Sequence, residues 1–380
     1  HRLIRRQRQM CIRDRCVRSF ISNNFGLCEK MVFFTFLSHT LAKKHSNGSW
    51  HPESPQRLEV IEKWIYDNRT KLNFGYEVME NEATKETITI VHSSELYEMI
   101  KRTDGIDGYF PIDPDTATNK FTFKAARQAV AVSVRALMDS TRQHSYFALV
   151  RPPGHHASLS TSSGFCIFSN VAIAVRSALE EKKYGRIAII DFDNHYGNGT
   201  AFTFEEDPRV LYVSTHADPR YSYPGCGFVD ELGKKDGEGT NVALPLNFRA
   251  NEYDIVAVFE EIVKPIVYQF KPDAIAVSAG FDGYLRDPLG NLGISKQGFE
   301  IIGNLIGQIA KEVDVPVSHF LEGGYNINDL PYLVGSYIKS FLPNYHSELP
   351  SFTDQKVSTM AQQKTRETIN LSKNLMREYW

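Results

Sequence analysis

The stretch that organises the chain is IAIIDFDNHYGNGT, residues 187–200. Its first four residues form an uninterrupted apolar run, which predicts a strand buried on both faces. Asp191, Asp193 and His195 follow at alternate positions, and alternate side chains of an extended chain point to the same side. Oxygen and imidazole ligands that converge in this way suit a divalent cation such as zinc. The alternative is a polar strand end that only caps the following helix.

Four other apolar runs also end in a polar, glycine-rich motif. These motifs are RPPGHHA (151–157), STHADPRYSYPG (214–225), SAGFDGYLRDPLG (278–290) and LEGGYN (321–326). Helical patterns separate the runs, and this alternation predicts a parallel sheet covered by helices on both faces. Ligands of such sheets bind beyond the carboxyl ends of the strands. We therefore expect an α/β fold in which the motifs meet at one edge of the sheet.

The patterning predicts one domain between residues 31 and 345, because no repeat, linker or shift of composition interrupts it. The predicted strands are 32–37, 146–150, 187–190, 210–213, 274–277 and 317–320. The predicted helices are 54–66, 124–138, 170–181, 251–270 with a kink at Pro265, and 295–313. Residues 346–380 form a polar extension that is predicted to be helical over 354–378.

Residues 1–30 differ from the rest of the chain. The segment from His1 to Arg18 holds seven arginines and one acid, without a usable apolar period. Such a start resembles a transit peptide but lacks its serine richness. We interpret it as an extraneous or disordered leader, with the working protein starting near Met31. A nucleic-acid-binding arm is the alternative.

Composition narrows the functional classes. The net charge is −2, so no bulk attraction to nucleic acid or membrane is expected. No apolar run reaches the ~18 residues of a membrane span. The cysteines are scattered and form no CxxC pair, which argues against a disulfide framework or a thiolate zinc site and favours a reducing cytoplasm. These residues are Cys11, Cys16, Cys28, Cys166 and Cys226.

The other motifs supply further groups for a hydrolytic site. Asp282 follows a predicted strand and can complete a ligand set with Asp193 and His195. A lone histidine is more often structural, but His155 and His156 follow a rigid Pro-Pro-Gly turn, which favours catalysis. Tyr325 follows two glycines that leave its loop free to aim the phenol into the same cleft.

Taken together, the motifs resemble those of the zinc-dependent histone deacetylase family, which includes acetylpolyamine amidohydrolases and bacterial deacetylase-like amidohydrolases. The resemblance extends from about Met31 to about Leu342. It implies the arginase/deacetylase fold, a three-layer α/β/α arrangement around a mainly parallel eight-stranded sheet. The motifs that carry it are HPESPQR (51–57), RPPGHHA (151–157), GFCIFSN (164–170), DFDNHYGNGT (191–200), AGFDGYLRDPLG (279–290) and LEGGYN (321–326).

The resemblance assigns roles to individual residues. Asp193, His195 and Asp282 match zinc ligands, and Tyr325 matches the tyrosine that binds the substrate carbonyl. The paired histidines match His155, with Asp191 behind it, and His156, with Asn198 behind it. An acyl-chain tunnel is implied by Phe165, Tyr223, Gly164 and Leu289, the last at its gate. A monovalent-cation site, usually filled by potassium, is implied by Asp191, Ser214 and the backbone carbonyls near 193, 195 and 215.

Two positions are not settled by the resemblance. The family commonly has a second histidine after the ligand histidine, whereas this chain has Tyr196, which alternation turns away from the metal. Either Asp113 or Asp115 matches a rim aspartate that orients the substrate backbone.

The resemblance implies a zinc-dependent amidohydrolase that removes acetyl groups from acetyl-lysine in peptides or proteins. Acetylpolyamine or another small acylated amine is the alternative substrate, although Leu289 stands where polyamine-selective members have an acid. A non-catalytic acyl-lysine binding module would be expected to lack some of these polar groups. A dinuclear, arginase-like enzyme would need more Asp and His ligands. A homo-oligomer is left open.

Overall fold

The computed structural model describes residues 33–342, residue 349 and residues 354–380. The predicted leader, residues 1–30, lies outside the described residues, as does the first residue of the strand predicted at 32–37. Among the described residues, we find no helix with the length and hydropathy that a membrane span requires.

The centre of the fold is an eight-stranded sheet. Its strands are β1 Phe33–His39, β2 Gly75–Met79, β5 His144–Ala148, β6 Ile187–Asp191, β7 Val210–Ala217, β8 Asn241–Leu246, β9 Ala274–Ala279 and β10 Val317–Leu321. They are arranged in the order β2-β1-β5-β10-β9-β6-β7-β8. Every neighbouring pair in this order is parallel, which confirms the predicted α/β class with a parallel sheet. A separate antiparallel pair consists of β3 (Phe110–Pro111) and β4 (Ala117–Thr118).

Helices cover both faces because the strands are apolar on both sides. In β6, Ile187 and Ile189 pack into one core, while Ala188 and Ile190 pack into the other. The first core is completed by the helices Lys85–Thr89, Ser94–Lys101, Thr122–Asp139, Asn170–Glu180 and Asn198–Phe204. The second is completed by Gln56–Leu72, Glu252–Val258, Lys264–Phe270, Lys296–Val313, Leu330–Ile338 and part of the C-terminal segment. The result is three layers.

The strand order explains where a site can form. The last strand, β10, lies in the middle of the sheet between β5 and β9, and β6 adjoins β9. The carboxyl ends of these four strands therefore lie side by side. Each of them leads into one of the polar motifs, so side chains far apart in sequence meet at one edge.

The helix predicted over 251–270 is interrupted as expected, but not by a simple kink. A π-helical turn, Phe259–Val263, separates two α-helical segments immediately before Pro265. Proline lacks the N–H that would continue the regular bonding pattern, and a wider turn accommodates this loss.

The described part of the C-terminal segment folds onto the domain as two helices, Asp354–Met360 and Gln363–Met376. Ile369 is 1% exposed within the second core. The buried carboxylate of Asp254 accepts hydrogen bonds from the Gln362 backbone N–H (2.7 Å) and the Thr365 hydroxyl (2.6 Å). The polar pattern of residues 354–380 therefore reflects one solvated face of a packed segment.

Candidate active site

Asp193, His195 and Asp282 lie together beyond the ends of β6 and β9. One potential ligand atom from each lies within 4.8 Å of those of the other two. His195 Nδ1 is 3.2 Å from Asp193 Oδ1 and 2.9 Å from Asp282 Oδ2. The structure thus brings together the three ligand candidates that the sequence indicated.

The backbone holds the two carboxylates and leaves atoms free to bind a cation. Asp193 Oδ2 accepts a hydrogen bond from Gly323 N (2.8 Å), and Asp282 Oδ1 accepts one from Asn194 N (2.8 Å). Asp282 Oδ2 is buried and has no hydrogen-bond partner among the residues that the structure describes, although it faces His195 at close range. A buried carboxylate oxygen without a partner is costly unless a cation binds it. Two carboxylates and one imidazole fit zinc with a fourth position left open.

The paired histidines each have the partner that the resemblance implied. His155 Nδ1 is 3.1 Å from Asp191 Oδ2, which also accepts a hydrogen bond from the Tyr212 hydroxyl (3.0 Å). His156 Nδ1 is 2.8 Å from Asn198 Oδ1. The ring centroids of the two histidines are 4.0 Å apart. One histidine therefore has a carboxylate behind it and the other a neutral amide.

This difference in partners favours different protonation states for His155 and His156. Burial opposes the charge of His155, but Asp193, Asp191 and Glu322 together raise its pKa to about 10. Burial holds the pKa of His156 well below its ordinary value, and the neighbouring imidazoles of His155 and His195 act in the same direction. At neutral pH the pair therefore consists of a charged and a neutral imidazole.

Tyr325 is 8% exposed, and its ring is enclosed by other side chains. The Phe165 ring meets it edge-on with centroids 5.7 Å apart, and the Arg57 guanidinium lies 4.9 Å from its ring centroid. Burial raises the pKa of its hydroxyl well above the ordinary value. The phenol therefore remains protonated and can donate a hydrogen bond.

Phe165 and Tyr223, the two predicted tunnel aromatics, contact different residues of the candidate site. The Phe165 ring contacts Tyr325, whereas the Tyr223 ring contacts His156 edge-on with centroids 4.8 Å apart. Gly164 has a left-handed φ of 55°. A Cβ atom there would lie 2.5 Å from His156 Cδ2 and 2.9 Å from Tyr223 Cε1, so only glycine fits.

The rim residues Leu289, Asp113 and Asp115 differ in the hydrogen bonds that they form. Leu289 is 37% exposed, and its N–H donates to the Asp287 carboxylate. Asp113 Oδ1 accepts the backbone N–H groups of Asp115 (3.0 Å) and Thr116 (2.5 Å), which closes its own turn. The Asp115 carboxylate accepts the Thr116 hydroxyl at 3.3 Å. This geometry leaves Asp115 as the freer of the two acids.

The remaining predicted positions are the two residues of the implied monovalent-cation site, Asp191 and Ser214, and Tyr196. Asp191 and Ser214 are direct neighbours across β6 and β7. The Ser214 hydroxyl lies 2.9 Å from His216 Nδ1, and the N–H of Asp193 donates to Asp191 Oδ1 (3.1 Å). Tyr196 points away from the ligand triad, and its buried hydroxyl donates to Asn241 Oδ1 (3.2 Å). The departure at 196 is therefore accommodated by packing between β7 and β8.

Several supporting residues were not singled out from the sequence. The carboxylate of Glu53 pairs with the fully buried guanidinium of Arg151 and, at 3.1 Å, with that of Arg57. Glu322 Oε2 accepts the N–H groups of Gly154 (2.8 Å) and His155 (3.2 Å), which fixes the turn before the histidine pair. The available signal was the placement of charged residues inside the motifs HPESPQR, RPPGHHA and LEGGYN, since buried charges need partners.

Comparison with known proteins places these features in a family. Residues 51–341 match the family model described as "Histone deacetylase domain". Histone deacetylase 14, chloroplastic, from Arabidopsis thaliana is 38% identical over 314 residues, covering 78% of this chain and 74% of that protein. A protein named "Probable deacetylase" from Archaeoglobus fulgidus is 35% identical over 302 residues, covering 76% of this chain and 80% of that one.

The fold is shared with a solved relative. The crystal structure of the HDA15 HD domain superposes with a TM-score of 0.81 at 28% identity, covering 92% of this chain and 95% of that chain. This likeness and the parallel eight-stranded sheet confirm the predicted arginase/deacetylase fold. By its matched domain, its relatives and its fold, the chain belongs to the histone deacetylase family.

Proposed function

We propose that this chain is a zinc-dependent deacetylase that removes acetyl groups from acetyl-lysine in peptides or proteins. The observation that carries the proposal is the convergence of the Asp193, His195 and Asp282 triad with the histidine pair, one histidine backed by a carboxylate and the other by an amide. The reaction class is supported by the names of two relatives, one a histone deacetylase and the other a probable deacetylase.

Each residue beside the triad has a part in amide hydrolysis. A bound zinc ion would polarise the carbonyl and lower the pKa of water. His156 is neutral, so it can accept a proton from the attacking water and return it to the leaving amine. His155, with the Asp191 carboxylate 3.1 Å behind it, can stabilise the negative charge that develops nearby. The Tyr325 hydroxyl can donate to the oxygen of the former carbonyl.

The aromatic walls suit the side chain of acetyl-lysine. A neutral alkyl chain between Phe165 and Tyr223 gains ~0.8 kcal/mol for each of its four methylenes that is buried. Such a slot offers no partner to a second ammonium group. This chemistry favours acetyl-lysine over a polyamine as the substrate.

A first test is a hydrolysis panel with the purified chain. The substrates are an acetyl-lysine peptide, a trifluoroacetyl-lysine peptide and acetylspermidine, each with and without a chelator. We expect chelator-sensitive release of acetate from the acetyl-lysine peptide. Binding of this peptide without hydrolysis, in zinc-loaded protein, would instead support an acyl-lysine binding module.

We predict unequal effects at the histidine pair. His156→Ala should lower kcat more than His155→Ala. The first substitution removes the group that accepts and returns the proton, whereas the second removes only electrostatic stabilisation. Steady-state kinetics on the acetyl-lysine peptide, at equal zinc content of both variants, measure this difference. Equal or reversed effects would mean that the two roles are exchanged.

We also predict that the gate residue sets the preference between substrates. The wild-type chain should hydrolyse acetyl-lysine peptides at least as efficiently as acetylspermidine. Leu289→Glu should shift the ratio of kcat/KM values toward acetylspermidine, since its carboxylate can pair with the distal ammonium. Leu289→Gln is the matched uncharged control. A strong wild-type preference for acetylspermidine that Leu289→Glu leaves unchanged would place specificity on another surface.

The proposal extends to the surroundings of the site. We propose a monovalent cation, most simply potassium, at Asp191 and Ser214, because these two oxygen-bearing residues are paired across the neighbouring strands β6 and β7. We retain the cytoplasm as the proposed location, and we note that the relative from Arabidopsis thaliana is named chloroplastic. A homo-oligomer that covers the cleft mouth would offer one further route to substrate selection.

A further inference from the structure

The carboxylate of Asp287 connects two segments that border the proposed site. Its Oδ1 atom accepts the N–H of Leu289 at 2.9 Å, in the gate segment. Its Oδ2 atom accepts the N–H groups of Tyr325 (2.7 Å) and Asn326 (3.0 Å), in the loop that carries the phenol. One side chain thus bonds three backbone groups on two separate strand-end motifs.

The loop of Tyr325 depends on such contacts for its position. Gly323 and Gly324 precede it, and Gly324 has a φ of 116°, where a glycine is required. On the opposite side, Arg57 Nε donates to the Gly324 carbonyl (2.7 Å). Two glycines impose little conformational restraint of their own, so the loop depends on its hydrogen bonds. These include the bond from Gly323 N to Asp193 and the bonds to Arg57 and Asp287, and those to Asp287 involve Tyr325 itself.

We propose that Asp287 is a positioning residue that acts through Tyr325 and couples the gate at Leu289 to the phenol. The inference rests on the proposed role of Tyr325 in deacetylation. If the coupling holds, a change at the gate should alter kcat as well as substrate binding, because the gate segment and the Tyr325 loop both bind the Asp287 carboxylate.

Asp287→Asn is a sharp test because the substitution preserves shape. The amide has only one acceptor oxygen, so in either orientation its NH2 group faces at least one backbone N–H that Asp287 now binds. We expect kcat on the acetyl-lysine peptide to fall roughly 10- to 100-fold, as for loss of a buried hydrogen bond. KM should change less, and the trifluoroacetyl-lysine peptide, whose carbonyl is already activated, should lose less activity.

A double-mutant cycle with Tyr325→Phe identifies the route of the effect. If Asp287 acts through the phenol, Asp287→Asn should cost less than about 3-fold in the Tyr325→Phe background. Asp254→Asn is the matched control. This buried aspartate also accepts backbone N–H groups, but they belong to Asn251 and to Gln362, which precedes the last helix. The control substitution should lower Tm without changing the ratio of acetyl to trifluoroacetyl turnover.

The outcomes separate this inference from the proposed function. Near wild-type turnover of Tyr325→Phe would overturn the role of Tyr325 and, with it, the proposal for Asp287. A large loss in Tyr325→Phe combined with no loss in Asp287→Asn, or with fully additive losses, would overturn the positioning role alone. If circular dichroism shows that Asp287→Asn does not fold, the same cycle is carried out with Asp287→Glu. This variant keeps both acceptor oxygens, so its loss of kcat should be smaller than the roughly 10- to 100-fold loss expected for Asp287→Asn.

Discussion

Asp282→Asn is expected to abolish chelator-sensitive hydrolysis of the acetyl-lysine peptide and to weaken zinc binding by more than the ~10- to 100-fold typical of a lost outer-shell partner. The fold should survive, because the amide oxygen can still accept the N–H of Asn194 that Asp282 Oδ1 now accepts. The NH2 group then occupies the place of the unpartnered Oδ2 and cannot bind a cation. Zinc content after dialysis against a metal buffer, measured by elemental analysis, tests affinity without reference to activity.

The control for this prediction is Asp254→Asn, which should keep its zinc while losing stability. A well-folded Asp282→Asn variant that binds zinc as tightly as the wild-type chain would contradict the proposed ligand set. Zinc bound with full affinity, but without hydrolysis by the wild-type chain, would contradict the proposed reaction and leave the ligand set intact.

Tyr325→Phe is expected to lower kcat on the acetyl-lysine peptide by ~10²–10³, the usual cost of one lost oxyanion donor. The ring keeps its contacts with Phe165 and Arg57, so only the hydroxyl is removed. Zinc affinity and Tm should therefore remain close to those of the wild-type chain. The trifluoroacetyl-lysine peptide should suffer less, because its activated carbonyl needs less help.

Single-turnover measurements on both substrates show whether the loss lies in the chemical step. Retention of near wild-type acetyl turnover would mean that another group stabilises the oxyanion. Equal losses on both substrates would mean that the substitution acts by disturbing the loop instead.

The sequence predicted most of the sheet because buried parallel strands consist of apolar runs. Strand β8 was missed, since NVALPL includes Pro245 and an asparagine, which weaken the strand pattern. Strand β2 was missed because it lies at the edge of the sheet and is partly exposed. The helix Leu330–Ile338 was missed because it is buried almost all round and so has no amphipathic period.

The candidate site was predictable where a single strand end determined it. Asp193 and His195 follow the end of β6 at alternate positions. Asp282 was indicated by its place after another predicted strand, and the resemblance gave it the same role. The partners Glu322 and Asp287 could not be inferred from the sequence alone, because their bonds join strand ends that are adjacent only after folding. Local pattern indicates a polar residue at such positions, but not which backbone group it meets.

The central place of β10 has a consequence for how the protein is made. Strands β1, β2 and β5 form one half of the sheet, strands β6 to β9 form the other, and β10 joins them. The ribosome therefore releases both halves before it releases the strand that unites them, at Val317–Leu321. Until then each half exposes an unpaired strand edge, and such edges promote aggregation. Fragments that end before residue 317 should accumulate as aggregates and not as partly active enzyme.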